Sequence, residues 1–165
     1  MINLGLCCFI GIDYFYRVMK WLKPDNAKWI LTISITVFVL IHLVYINLPP
    51  CSIHVWRQCN TLSVAQNFYD ESYNILEPRV DRRFEGDGIT GTAFPLYEWI
   101  LAAIYKFTGV HYWVHRLLSL LLTITAIIFS FRFLNNITCN KLAAAIASCL
   151  LLWTPELFYH SINAI

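Results

Sequence analysis

Charge is what this sequence has least of. Only 13% of its 165 residues are Asp, Glu, Lys or Arg, while 58% are hydrophobic, against roughly a quarter charged in ordinary soluble domains. A soluble globular domain is a poor reading of such a chain. No basic patch alternates with exposed aromatics, and the net charge is only +2, which excludes nucleic acid as the expected partner. The six cysteines, at 7, 8, 51, 59, 139 and 149, form no CxxC pair and meet no His at zinc-finger spacing. The sequence names no cofactor and no metal ligands, and leaves a divalent metal open. The N-terminus does not read as a secretory leader: the first apolar stretch, INLGLCCFIGI, has no basic start, stops at Asp13 and carries no small-residue cleavage site. It reads as a short amphipathic helix on the cytoplasmic face, or as a start codon placed upstream of the true one.

What is present is long apolar runs. Trp29 to Leu48 is twenty residues without a charge, the length a helix needs to cross a hydrocarbon core roughly 30 Å thick. Arg17, Lys20, Lys23 and Lys28 precede it and predict a cytoplasmic N-terminal segment, 1–28. The region 49–114 then carries seven acidic residues (70, 71, 77, 81, 85, 87, 98) against five basic ones (57, 79, 82, 83, 106). It reads as an outer, periplasmic or extracytoplasmic loop. Leu117 to Phe131, bracketed by Arg116 and Arg132 that can snorkel, predicts a second span over 115–134. A cytoplasmic link, 135–141, leaves the sequon at Asn136 silent. A third span is expected over 142–158, with 159–165 opening a second outer loop. The expected fold is therefore all-α and integral to the membrane, with three transmembrane helices. Three spans enclose too little volume for a buried membrane cavity, so the chain reads as the N-terminal part of a longer protein. No ionisable residue lies mid-span (His42 comes nearest), which disfavours a transporter fragment.

The outer loop holds the residues capable of chemistry. After Pro49-Pro50 it reads S-I-H-V-W-R-Q-C-N, with Asn60 expected to cap a helix over about 61–71 whose apolar face is Leu62, Ala65 and Phe68 or Tyr69. Next come five charged residues between Arg79 and Glu85, then three glycines: a solvated loop or a flexible lid. Residues 95–107 are too short and too polar to span. Leu96, Ile100, Ile104 and Phe107 recur at helical spacing opposite Glu98, Ala102 and Lys106, predicting a helix lying on the outer leaflet with that second stripe toward water. Cys51 and Cys59 share the loop, and spacing alone leaves their pairing open.

One span, then H-x-W-R-Q-x-N-T, a helix ending N-F-Y, P-R-V-D, a Gly-rich loop, F-P-L-Y-E-W, F-T-G and R-L-L-S-L-L: this order, over about residues 29–165, resembles the N-terminal region of GT-C-type glycosyltransferases. The nearest branch is that of protein O-mannosyltransferases and the ArnT-like and RgtA/B/C/D-like enzymes. The resemblance implies a polytopic helical fold with juxtamembrane helices in a long first outer loop. It also implies transfer of a sugar, usually with inversion, from a polyprenyl-phosphate donor to a lipid, glycan or protein acceptor. The expected partners are that donor, membrane lipid and further C-terminal spans of the same protein. The expected location is the bacterial inner membrane.

Such chemistry needs a carboxylate to take the proton of a hydroxyl nucleophile and a cation to hold the departing phosphate. Relatives often carry Asp where Asn60 stands and Glu where Ala93 stands, and neither residue here can act as a base. Among the remaining loop acids Asp81 is the expected catalytic residue. His54, Arg57, Gln58, Asn60 and Arg116 are the expected substrate contacts. Each has a plainer alternative: solvated acid for Asp81, lipid headgroup contact for Arg57, structural ring for His54, helix cap for Gln58 and Asn60, snorkelling anchor for Arg116. Loss of the acids at 60 and 93 also keeps a second class open, a non-catalytic membrane protein that binds lipid-linked glycan or a partner.

Overall fold

A computed structural model describes residues 26–83, 86–91 and 94–163. The expected N-terminal amphipathic helix, Cys7, Cys8, Glu85 and Ala93 lie outside these. Six α-helices follow in order: α1 Ala27–Tyr45, α2 Val55–Asp70, α3 Leu96–Thr108, α4 Tyr112–Thr138, α5 Lys141–Leu152 and α6 Pro155–Asn163. Among the described residues the only β pairing is an isolated antiparallel bridge between Arg79 and Ile89.

Among the described residues two helices are long and apolar enough to cross a membrane, α1 with 19 residues and α4 with 27, or about 28 and 40 Å at 1.5 Å per residue. The third crossing expected over 142–158 is not one helix. It breaks at Trp153–Thr154, because Pro155 lacks the N–H that would continue the ladder and disfavours helical backbone at the residue before it. The same proline is well suited to the first turn of α6. A third crossing would therefore need α5 and α6 together.

The chain divides into two compact units. In the first, Ala27 and Ile30 of α1 pack with Phe131 of α4 and with Leu142, Ala145 and Ile146 of α5. The small residues Ala144, Ala145 and Ser148 are buried there. Side chains this small permit the close backbone approach on which membrane helices rely. Asn140 starts α5, its Oδ1 accepting from the N–H groups of Leu142 (3.0 Å) and Ala143 (3.1 Å). Trp153 sets its ring edge against Phe38, with centroids 5.8 Å apart, and donates Nε1–H to Ser34 Oγ at 2.8 Å.

The second unit holds α2, α3, α6 and the adjoining ends of α1 and α4. Its core is α2 against α3. Ala65 meets Leu101, Tyr105 and Val114, while Val64 and Phe68 meet Ala102. The water-facing stripe expected on α3 is met only in part, since Lys106 is exposed and Glu98 partly so but Ala102 is not. Ala102 is fully buried, Lys106 places its ammonium over the Tyr73 ring at 3.8 Å from the centroid, and Glu98 lines a cavity beside α2. Ala102, the small middle residue of that stripe, is what lets α2 approach. Of the opposite stripe, Leu96, Ile100 and Phe107 are exposed, Phe107 at 91%, while Ile104 packs against the core.

Helix α2 starts at Val55, earlier than the expected 61, so Asn60 sits inside the helix rather than capping it. His54 occupies the N-cap position without a side-chain hydrogen bond. Beyond α2 the chain is held by reciprocal bonds: Trp99 Nε1–H donates to Tyr73 O and Tyr73 O–H to Trp99 O, both at 3.2 Å. The described residues on either side of the charged Gly-rich segment are tied to each other as a hairpin. Val80 N–H donates to Gly88 O and Thr90 N–H to Pro78 O, each at 3.0 Å. Gly88, at φ +80°, is obligatory, since a Cβ there would meet Val80 O at 2.8 Å.

Candidate functional site

A cavity of about 510 Å³ opens on one face of α2. Its walls are Trp56, Arg57, Asn60, Thr61 and Val64 from α2, Tyr97 and Glu98 from α3, Ser119, Leu122 and Thr123 from α4, and Leu157, His160 and Ser161 from α6. Helical spacing puts 57, 60, 61 and 64 on one stripe. Glu98 falls in the first turn of α3, where the helix dipole favours a carboxylate. Neither the Arg57 guanidinium nor the Glu98 carboxylate has a hydrogen-bond or ion-pair partner among the described residues. The cavity thus presents one free cation and one free anion from different helices.

The rest of the wall is held in place. Tyr97 O–H donates to His115 O at 3.0 Å and lies 3.1 Å from His115 Nδ1. Burial first, then the neighbouring Tyr105 and Glu98, pushes the Tyr97 phenol well above its ordinary range, so it serves as a neutral hydroxyl and not as a base. Ser161 Oγ–H donates to Phe158 O at 2.8 Å, so its oxygen accepts from His42 Nε2 at 2.8 Å. His160 Nε2 pairs with Glu156 Oε1 at 3.0 Å, while its Nδ1 is buried without a partner.

Of the residues singled out in the sequence, Arg57 and Asn60 face this cavity. The others do not. Gln58 is 1% exposed; its Nε2 donates to Cys51 O at 2.8 Å and its Oε1 accepts from Cys51 N–H at 3.3 Å. Its amide holds the turn before α2 and is buried away from solvent. His54 packs edge-on against Tyr159, centroids 6.1 Å apart, and its N–H reaches Tyr159 Oη at 3.4 Å. Arg116, 6% exposed, donates Nε–H to Leu48 O (3.0 Å) and its two terminal nitrogens to Ile162 O (2.6 Å) and Pro49 O (3.1 Å). It neither snorkels nor faces the large cavity; it ties together three stretches of backbone.

Asp81 lies on the other side of α2, in a second cavity of about 480 Å³ with Cys59, Ser63, Gln66, Tyr105 and His111. Its Oδ1 accepts from Asn67 Nδ2 at 3.1 Å, and the same amide donates to Arg79 O at 2.9 Å. The expected base and the expected phosphate contact therefore line different cavities. Glu98, by contrast, shares one with Arg57. Glu98, His160 and Ser161 carried no functional reading in the sequence. The signal for Glu98 was its place in F-P-L-Y-E-W; His160 and Ser161 had none, because only folding brings α6 to α2.

Glu71 anchors the hairpin: Arg79 Nη1 lies 3.0 Å from its Oε2, and Arg83 binds its other oxygen. The Arg83 and Arg79 bonds hold its carboxyl below the usual range. Cys51 and Cys59 are both free thiols and exposed. Among the described residues no three His, Cys, Asp or Glu side chains gather as a metal-binding group.

No curated protein and no solved structure matches the chain. The profile of one protein family does, over residues 65–163 and so over more than half of the sequence, covering α3 to α6 and the C-terminal part of α2. Together with the apolar helices this makes the chain part of a multi-pass membrane protein, and it belongs to the dolichyl-phosphate-mannose-protein mannosyltransferase family, a GT-C-type family of membrane glycosyltransferases.

Proposed function

We propose that this chain carries the donor- and acceptor-facing part of a transferase that moves a sugar from a polyprenyl-phosphate carrier to a hydroxyl acceptor outside the cytoplasm. The observation that carries the reading is the unpartnered Arg57–Glu98 pair across one cavity. An acceptor hydroxyl oxygen attacks the anomeric carbon, a C–O bond forms, and the bond from that carbon to the carrier phosphate oxygen breaks. The acceptor proton passes to the Glu98 carboxylate. The electron pair leaves with the polyprenyl phosphate, whose charge the Arg57 guanidinium meets. Asn60, one helical turn from Arg57, is placed to hydrogen-bond the sugar.

The orientation belongs to the same proposal: 1–28 and 135–141 cytoplasmic, 49–114 outside, in a bacterial inner membrane, with the exposed Leu96–Ile100–Phe107 stripe of α3 in the outer leaflet. Impermeant labelling of a cysteine introduced at 136 from outside intact cells would overturn it.

Transfer assays with full-length protein and a panel of polyprenyl-phosphate sugars test the chemistry. Removing a general base lowers turnover about a hundred- to ten-thousand-fold, and Glu98→Gln is expected to fall in that range with the protein still folded. Arg57→Ala is expected to raise KM for the lipid-linked donor. If Glu98→Gln keeps wild-type turnover while Asp81→Asn loses it, the base is Asp81 and the assignment fails.

A further inference from the structure

The second cavity, on the far face of α2, contains a polar atom the fold does not explain. Five hydroxyls on these helices bond back to the carbonyl four residues earlier: Thr36, Thr108, Thr123, Thr138 and Ser148, at 2.8 to 3.1 Å. Ser63 does not. Its Oγ is buried and has no partner at all, although it lines the cavity. Beside it are Gln66, whose Nε2 donates to Asp70 Oδ2 at 3.2 Å and whose Oε1 is uncommitted, and Asp81, with only Oδ1 engaged by Asn67. The rings of His111 and Tyr112 are exposed at the rim, His111 held by stacking on Trp113 with centroids 6.3 Å apart.

We infer that this cavity, walled by Ser63, Gln66, Asp81, His111 and Tyr112, is a second binding site whose ligand is a neutral saccharide ring. Among the described residues neither Lys nor Arg lines it, so a phosphate or other anion finds no counter-charge there. A single carboxylate beside an amide and a hydroxyl suits vicinal sugar hydroxyls, which donate to the carboxylate and accept from the rest. The aromatic rims present negative faces to the sugar's C–H edges. At about 480 Å³ the space lies within the roughly 300–1,000 Å³ of small-molecule sites. This inference goes beyond the transfer reaction and does not depend on Glu98 or Arg57.

Cys59, exposed and lining the same cavity, is a built-in reporter. Full-length protein in nanodiscs, with the other cysteines replaced by serine or alanine, is treated with a maleimide in the presence of methyl α-mannoside, methyl β-glucoside, methyl β-galactoside or inorganic phosphate. At least one glycoside is expected to slow Cys59 modification, and phosphate is not. A hydrogen bond to a charged group corresponds to about tenfold or more in affinity, so Asp81→Asn is expected to raise the half-protecting concentration by about that factor. Ser63→Ala should raise it by less, and Glu98→Gln should leave it unchanged. The inference is overturned if no glycoside protects, if protection survives both Asp81→Asn and Ser63→Ala, or if Glu98→Gln abolishes it, since the ligand would then sit in the other cavity. Loss of transfer in Glu98→Gln with Cys59 protection retained separates the two sites.

Discussion

Replacing Arg116 by methionine is expected to damage the fold, not donor binding. The guanidinium is buried and makes three bonds to carbonyls, at 3.0, 2.6 and 3.1 Å, with no carboxylate among its bonded partners. Each charged hydrogen bond contributes about 1.5–3 kcal/mol, so the gross loss runs to several kcal/mol. Against this stands the desolvation of the cation itself, which methionine relieves. The three carbonyls of Leu48, Pro49 and Ile162 would be left without donors at the end of a membrane helix, where water is scarce. Removing one side of such a buried charged arrangement costs about 3–5 kcal/mol. At the roughly 2–4 °C per kcal/mol of domains this size, that is a drop in Tm of about 10 °C. Arg116→Lys keeps the charge but not the fork, and one ammonium cannot reach all three carbonyls, so it should recover less than half. Tryptophan fluorescence during heating in detergent measures the shift, and a donor titration measures KM. A methionine variant within about 2 °C of wild type but with a raised donor KM would refute the reasoning and return Arg116 to the ligand.

Gln58→Leu removes both bonds to Cys51 and leaves that backbone unsatisfied, so it should cost about 1–3 kcal/mol and speed hydrogen exchange at the start of α2. Gly88→Ala forces a Cβ against Val80 O at a positive φ; it should destabilise the hairpin by about 1–3 kcal/mol and be read as lost protection at the Val80 and Thr90 amides. The Glu71 carboxyl has a lowered native pKa because Arg83 and Arg79 bond its charged form. Its contribution is therefore fully present above the ordinary carboxylate value of 4.5 and is lost as pH falls through the lower native value. Hydrogen exchange at the same two amides should rise in that acidic window, and Glu71→Gln should remove the pH dependence.

The membrane character and two spans were legible because twenty uncharged residues in a row leave little choice. The break inside the third expected span was not foreseen, because apolarity was counted and the effect of Pro155 on the turn before it was not. The burial of Ala102 on α3 was missed for a related reason. Glu98, Ala102 and Lys106 make a polar stripe in one dimension, yet the burial partner of Ala102, Val64 and Phe68 of α2, lies 34 or more positions earlier in the chain. Arg57 and Asn60 line one cavity because a single helical turn holds them together. The carboxylate opposite them could not be foreseen, since Glu98 and Asp81 both lie within reach of α2 in sequence terms and only tertiary packing shows which side each takes.

Helix α2 walls both cavities and the core of its unit at once. Trp56, Arg57, Asn60, Thr61 and Val64 line the first cavity, and Cys59, Leu62, Ser63 and Gln66 the second. Gln58, Ala65, Asn67 and Phe68 are buried. From Trp56 to Phe68 no position is left over. Ordinary surface helices drift freely along one stripe, so their tolerance to mutation rises and falls every three to four residues. This helix has no idle stripe, and a saturation scan should find intolerance running evenly along it. Substitutions here would then have to arrive in compensated sets, and this thirteen-residue stretch should diverge more slowly than the membrane spans around it.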